Sequence, residues 1–189
     1  PYSWYTENGV RKYGFHGTSH RYITERLKGI YGENVNAIIC HIGSGASISC
    51  IKSGKCYDTS MGLTPLDGLV MGTRCGSIDP SIIDYISKER GLTIAEINEI
   101  LNKKSGLLGM CGKNDFRDVT ALAESGNENA INAIKIMENS ITKYIANYYL
   151  ELDGNVNALV FTAGCGENAS NLRKDIMEKI SCLGVKFDE

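Results

Sequence analysis

The chain has 189 residues, 42% hydrophobic and 22% charged, a balance that fits one well-cored globular domain or slightly more. Its formal net charge of −2 comes from 20 basic and 22 acidic residues with no block of either sign, which argues against nucleic acid or an anionic membrane as the main partner. Any anion it binds must be held by local geometry.

Seven cysteines, an odd number with no C-x-x-C pair and several inside apolar runs, predict buried reduced thiols and a cytoplasmic protein. No run approaches the roughly 18 apolar residues of a membrane span, and no charged-then-apolar signal layout opens the chain. The first residue is Pro1, and VKFDE at 185–189 resembles the opening of a strand, so both ends are expected to have been cut from a longer protein.

Residues 1–20 are turn-rich and aromatic and end in YGFHGTSH at 13–20. Thr18 or Ser19 is expected to cap a helix over 21–31, with Tyr22, Ile23, Leu27 and Ile30 as its apolar face. A strand over 35–41, a Gly-Ser-Gly turn at 43–45, an alternating strand over 46–51, a turn at 52–54 and a strand at 55–57 predict a three-strand antiparallel meander. The next stretch, DTSMGLTPLDGLVMGTRCGSIDP at 58–80, has neither helical nor strand periodicity. A long irregular segment is usually functional or disordered. Met61, Leu63, Leu66, Leu69, Val70 and Met71 give this one too much apolar surface for disorder. It is predicted to be an ordered active-site loop around one buried cation, Arg74.

Beyond it, Pro80 starts a helix that Gly91 stops, and Thr93 caps another to about 103. Residues 104–109 read as a loop, DFRD at 115–118 precedes a short helix near 119–125, and 127–152 has apolar residues at helical spacing throughout. A buried strand at 158–162, the glycine-rich GCGEN at 164–168 and a helix over 171–183 complete the chain, with no short repeat, low-complexity tract or obvious linker. The expected fold class is α/β, a mixed sheet with a three-strand antiparallel meander plus helix–strand–helix units, covered by helices.

The glycines of HIGSGAS at 41–47 let backbone amides form an anion nest, although a hairpin that needs glycine for its turn explains them as well. The segment is neither a Walker loop nor a dinucleotide fingerprint, because no Gly-Lys-Ser/Thr follows and it leads into a strand. GCGEN, between a strand and a helix, is a second candidate for an anion or nucleotide. His16 and His20 have metal-ligand spacing, yet Gly17 intervenes and no clear third ligand exists, which favours a hydrogen-bonding or structural imidazole over zinc. Arg74 offers a fixed fork to carboxylate or phosphate unless Asp58, Asp67 or Asp79 pairs with it. Asp115 and Arg117 read more readily as a surface pair than as a nucleotide contact.

YGFHGTSH at 13–20, HIGSGAS at 41–47, the whole of 58–80, KSGLLG at 104–109, DFR at 115–117 and FTAGCGEN at 161–168 resemble the acetate kinase family. The resemblance spans essentially all 189 residues, as most of the C-terminal nucleotide-binding domain of such an enzyme, with the N-terminal domain and extreme C-terminus absent. It implies a ribonuclease H-like ATPase domain of the acetate and sugar kinase, Hsp70 and actin superfamily. It also implies reversible, Mg²⁺-dependent transfer of the ATP γ-phosphoryl group to acetate, giving acetyl phosphate and ADP. By the same resemblance His16 contacts the transferring phosphoryl group, Arg74 binds the carboxylate and stabilises the transition state, and Phe15 and Pro65 line the methyl pocket. His41, Gly43, Ser44, Gly45, Ala46 and Ser47 would hold the nucleotide phosphates. Asp115, Phe116, Arg117, Gly164, Gly166, Glu167 and Asn168 would frame the adenosine. No metal ligand is assigned, because the family's metal-associated glutamate lies beyond Glu189. The implied partners are the small-molecule substrate and a second subunit of a homodimer, with no nucleic acid and no membrane.

Ser44 stands where the family commonly has Asn, Cys75 where it often has Ser, Ser77 where it often has Asp, and Cys165 where it often has Ile. Ser44 keeps a small hydrogen-bonding side chain. The family's first domain supplies a further phosphate loop and a second arginine, so the isolated chain is expected to be inactive. The alternatives are a propionate or butyrate kinase, a non-catalytic nucleotide-binding module of the same fold, and a zinc hydrolase using His16, His20 and His41. One methylene in an acyl pocket is worth about 1–3 kcal/mol, so the first alternative differs only subtly from acetate.

Overall fold

The computed structural model describes residues 1–186. The expected strand opening at 185–189 lies mostly outside the described residues, and Val185 and Lys186 join no regular element.

The chain opens with α1 (Tyr2–Thr6), where only turns were expected, and α2 (Gly17–Tyr31). Strands β1 (Ala37–Ile42), β2 (Ala46–Lys52) and β3 (Lys55–Thr59) follow, and β1 and β2 pair antiparallel from Ala37–Ile51 to Ile42–Ala46. β3 pairs antiparallel with β2, so the meander forms as expected. A fourth strand, β4 (Ala158–Thr162), adds parallel to β1, giving the order β3-β2-β1-β4.

β1 and β2 are buried almost throughout because apolar clusters cover both sheet faces. Ala37, Ile39 and Ile51 pack with Leu27 of α2 on one face. Ile38, Cys40, Ile42 and Ile48 join the larger core on the other, where α7 (Glu128–Glu151) supplies Met137, Ile141, Ile145 and Tyr148. β4, expected to be buried, is half-buried over its first four residues, since at the sheet edge it has β1 on one side only.

The remaining helices are α3 (Ser81–Arg90), α4 (Ile94–Lys103), α5 (Gly106–Cys111), α6 (Phe116–Glu124), α8 (Ala163–Asn168) and α9 (Ser170–Lys179). Gly91 ends α3 in the left-handed region, and Thr93 and Glu96 cap α4 reciprocally. α5 replaces an expected loop. Its first amides are satisfied by the central segment, Leu107 donating to Met71 O at 3.0 Å and Leu108 to Gly72 O at 2.9 Å. Gly106 has φ +60° and faces Met71 O so closely that no Cβ fits, so the glycine that reads as a turn is there for a backbone approach. α6 starts earlier than expected because the Asp115 carboxylate accepts the Arg117 amide. α9 stops at Lys179 and a 3₁₀ turn, Ser181–Leu183, replaces the rest of the expected helix.

Residues 60–80 form no regular element, as expected of an ordered loop. Met61, Leu69 and Met71 are fully buried, whereas Leu63 is exposed, contrary to expectation. Main-chain bonds from Cys75 N to Leu101 O, from Ser105 N to Thr73 O and from Gly72 N to Ser44 O tie the loop to α4, α5 and the 43–45 turn. No helix among the described residues is long and apolar enough to cross a membrane.

Candidate active site

Arg74 is half-buried rather than buried, and it is anchored by Nη1, which donates to Pro65 O at 2.9 Å and to Met71 Sδ at 3.4 Å. None of the three candidate aspartates pairs with it. Asp58 holds Lys12 at 2.8 Å, Asp67 accepts from Gly68 N at 2.8 Å and Ser77 Oγ at 2.6 Å, and Asp79 accepts from Ser81 N at 2.9 Å. Among the described residues Nη2 and Nε have no hydrogen-bond acceptor, which leaves them for an anion. Ser77 closes the loop onto Asp67, a task its hydroxyl performs as a donor.

His16 occupies the N-cap position of α2 in the left-handed region, φ 55°, where neither Thr18 nor Ser19 caps the helix. A non-glycine residue held in that region is a strained feature of the kind found at functional sites. Its Nδ1 lies 2.9 Å from Ser47 Oγ, and its ring stacks on His41 at 4.2 Å between centroids. Ser19 is used elsewhere, 2.9 Å from His41 Nδ1. His20 Nε2 reaches the same Ser47 hydroxyl at 2.8 Å, and its Nδ1 lies 2.8 Å from Ser49 Oγ. Burial first, then His41 and Arg74, lower the His16 pKa to about 4; burial, then His41 and His16, lower that of His20 to about 4. Burial also lowers His41, against a smaller pull upward from Glu167.

These elements meet over Gly45. A Cβ there would lie 3.3 Å from Arg74 Nη2 and 3.4 Å from His16 Nε2, so the two side-chain ends overhang the glycine turn together. The turn leads to a cavity of about 700 Å³ lined by Gly43, Ser44, Asp115, Phe116, Arg117, Gly164 and Asn168 among the expected nucleotide residues. Its size suits a nucleoside. Sequence reasoning missed Asn114, Thr120, Glu124 and Asn171 on its wall, which no motif marks, and gave Gly72 of the 58–80 stretch no nucleotide role. At its mouth Asp115 and Arg117 are both a pair and cavity residues. Arg117 donates from Nε at 3.0 Å and from Nη2 at 2.7 Å to the Asp115 carboxylate, and this fork lowers the Asp115 pKa to about 2.

Other expected contacts are not brought together. Ala46 and Ser47 are fully buried inside β2, and His41 and Gly45 lie off the cavity wall. Gly166 is buried, and Glu167 Oε1 accepts from Ala163 N and Thr162 Oγ1 at 3.1 Å, so this carboxylate is engaged at the first amide of α8. Phe15 lines a separate cavity of about 290 Å³ with His20 and Ser49, which Pro65 does not reach. The three histidines cluster, but His16 and His41 stack face to face, which does not aim their nitrogens at one point. Among the described residues no group of three or more His, Cys, Asp or Glu could hold a metal. These residues thus do not fit a resident Mg²⁺ site.

The model of the acetokinase family matches residues 1–189. An acetate kinase of Desulfovibrio desulfuricans is 51% identical over 191 residues, which is all of this chain and 47% of that protein. The crystal structure of a propionate kinase from Francisella tularensis superposes with a TM-score of 0.95 at 50% identity, covering all of this chain and 49% of that one. The crystal structure of Porphyromonas gingivalis acetate kinase superposes with a TM-score of 0.94 at 43% identity, covering all of this chain and 48% of that one. The chain thus spans about half the length of the relatives it matches, with the α/β fold of acetate and propionate kinases throughout. It belongs to the acetokinase family.

Proposed function

We propose that the full-length protein transfers the γ-phosphoryl group of ATP reversibly to acetate, giving acetyl phosphate and ADP, and that this chain contributes the nucleotide site and half of the catalytic clamp. The observation that carries the reading is the half-buried Arg74, without a carboxylate partner among the described residues and set beside His16 over the glycine turn that opens into the nucleoside-sized cavity. Phosphoryl transfer asks a protein mainly for positioning and charge neutralisation. In this reading Arg74 Nη2 and Nε bind the acetate carboxylate and the equatorial phosphoryl oxygens, and neutral His16 contacts the same oxygens through Nε2. Ser44 and the turn amides hold the phosphates, and Phe116, Arg117 and Asn168 frame the adenosine. Mg²⁺, for which no ligand is assigned among the described residues, would enter with the nucleotide and would offset phosphate charge. The chain alone is incomplete as a catalyst.

The acyl pocket is proposed to form only with residues of the rest of the protein, because Phe15 and Pro65 line no common cavity here. A cytoplasmic location belongs to the same reading, supported by seven free thiols that suit a reducing compartment, and so does a homodimer, which rests on the family resemblance alone. The likeness to a propionate kinase supports a second reading with the longer acid as substrate.

The test is Arg74→Ala in the full-length protein. Acetyl phosphate formation should fall by roughly a thousandfold or more, as when a transition-state charge partner is lost, while ATP binding persists. Normal turnover in that variant overturns the reading, and a kcat/KM for propionate above that for acetate overturns the choice of acid.

A further inference from the structure

The hydrogen bonds behind His16 form a chain with a direction. Ser49 Oγ lies 2.8 Å from His20 Nδ1, His20 Nε2 lies 2.8 Å from Ser47 Oγ, and Ser47 Oγ lies 2.9 Å from His16 Nδ1. Both serines are fully buried and His20 nearly so. Among the described residues, the Ser49 side chain bonds only His20, and the Ser47 side chain bonds only the two histidines.

Each hydroxyl has one proton and each neutral imidazole one N–H, so few arrangements satisfy the set. If His20 carried its proton on Nδ1, that proton would go to Ser49, and the buried Ser49 proton would have no acceptor. A doubly protonated His20 strands it in the same way. If His16 donated from Nδ1 while His20 donated from Nε2, Ser47 would receive two protons and its own would be stranded. Buried polar hydrogens without partners are costly and rare. One arrangement leaves none: Ser49 donates to His20 Nδ1, His20 Nε2 donates to Ser47, and Ser47 donates to His16 Nδ1. His16 then carries its proton on Nε2, the atom beside Arg74 over Gly45.

We infer that Ser49, His20 and Ser47 are positioning residues that fix the His16 tautomer, so that its Nε2–H is presented as a hydrogen-bond donor to the transferring phosphoryl oxygens. The inference rests on the phosphoryl-transfer reading for what the donor serves, but not for its existence. The opposite tautomer would aim a lone pair at an anion.

Histidine ¹⁵N spectra of the full-length protein, assigned with His16→Gln and His20→Gln, read the tautomer without turnover. A proton on Nε2 of both residues is expected, and a proton on Nδ1 of either overturns the relay. Ser49→Ala should bring the second tautomer into the His16 signal and lower kcat by roughly tenfold, part of what a lost transition-state donor costs, with KM for ATP held within about twofold. Ser49→Thr keeps the hydroxyl and should restore both. An altered tautomer with unchanged kcat overturns the positioning role, and an unaltered tautomer overturns the relay. Arg74→Ala tests the phosphoryl-transfer reading separately, so each can fail alone.

Discussion

Gly45 shows how much one absent side chain does at this site. A methyl group there would press on Arg74 Nη2 at 3.3 Å, tighter than ordinary van der Waals contact, and touch His16 Nε2 at 3.4 Å, the near limit of such contact. Gly45→Ala in the full-length protein should therefore lower kcat by roughly ten- to a hundredfold, a misplacement effect, with little change in the thermal midpoint. Kinetics and a melting curve on one preparation check both halves. The Gly-Ser-Gly turn is legible in the sequence as a hairpin. Its service to two distant side chains is not, because spacing along a chain says nothing of what folds over it. Ser47 misled for a similar reason. It stands in a phosphate-loop motif, yet the pleat and the placement of α2 turn its hydroxyl to two imidazoles.

Among the elements, α7 and α9 are joined by an ion pair at unequal depth. Glu138 is buried, and Lys179 Nζ meets it at 2.6 Å from a side chain still 35% exposed. Removing the lysine leaves a buried carboxylate without a counter-ion, a change that typically costs about 3–5 kcal/mol; the exposure of Lys179 favours the lower end. Urea unfolding of Lys179→Met should show that loss, whereas the double variant with Glu138→Leu should recover most of it. α7 itself is legible, since its apolar spacing and its Asn127 cap both lie in the sequence. α5 is not, because the partners of its first amides are carbonyls of residues 71 and 72, and Gly106 disguises the start as a turn. α8 is hidden by its two glycines, and the half-exposure of β4 depends on its place in the sheet, which an apolar run cannot report.

For the molecule as a whole, the half-buried His16 and the buried His20 set a pH window. His16 and His20 sit at about 4 in the fold against an ordinary 6.5. Between those values the unfolded chain binds more protons than the folded one, so stability rises with pH across the window. It is fully present above about 6.5 and is lost as pH falls toward 4. Melting midpoints of the full-length protein should decline through this range, and His20→Gln should flatten the decline. A midpoint constant from pH 7 to pH 4 would contradict the burial of both rings.

Four of the bonds that seat residues 60–80 against α4 and α5 run from main chain to main chain: Cys75 N to Leu101 O, Ser105 N to Thr73 O, Leu107 N to Met71 O, Leu108 N to Gly72 O. Side-chain identity enters few of them. The Cys75 thiol reaches only the neighbouring Gly76 carbonyl, so a serine in its place would disturb nothing in this lattice. The segment therefore tolerates change at positions such as Cys75, whose side chain enters none of these bonds, but not at Arg74, at glycines such as Gly68 and Gly76 where a Cβ would meet main-chain atoms, or in length. An inserted or deleted residue would slip every later amide off its carbonyl and carry Arg74 away from the turn it faces, so lineages of this domain should show almost no gaps here.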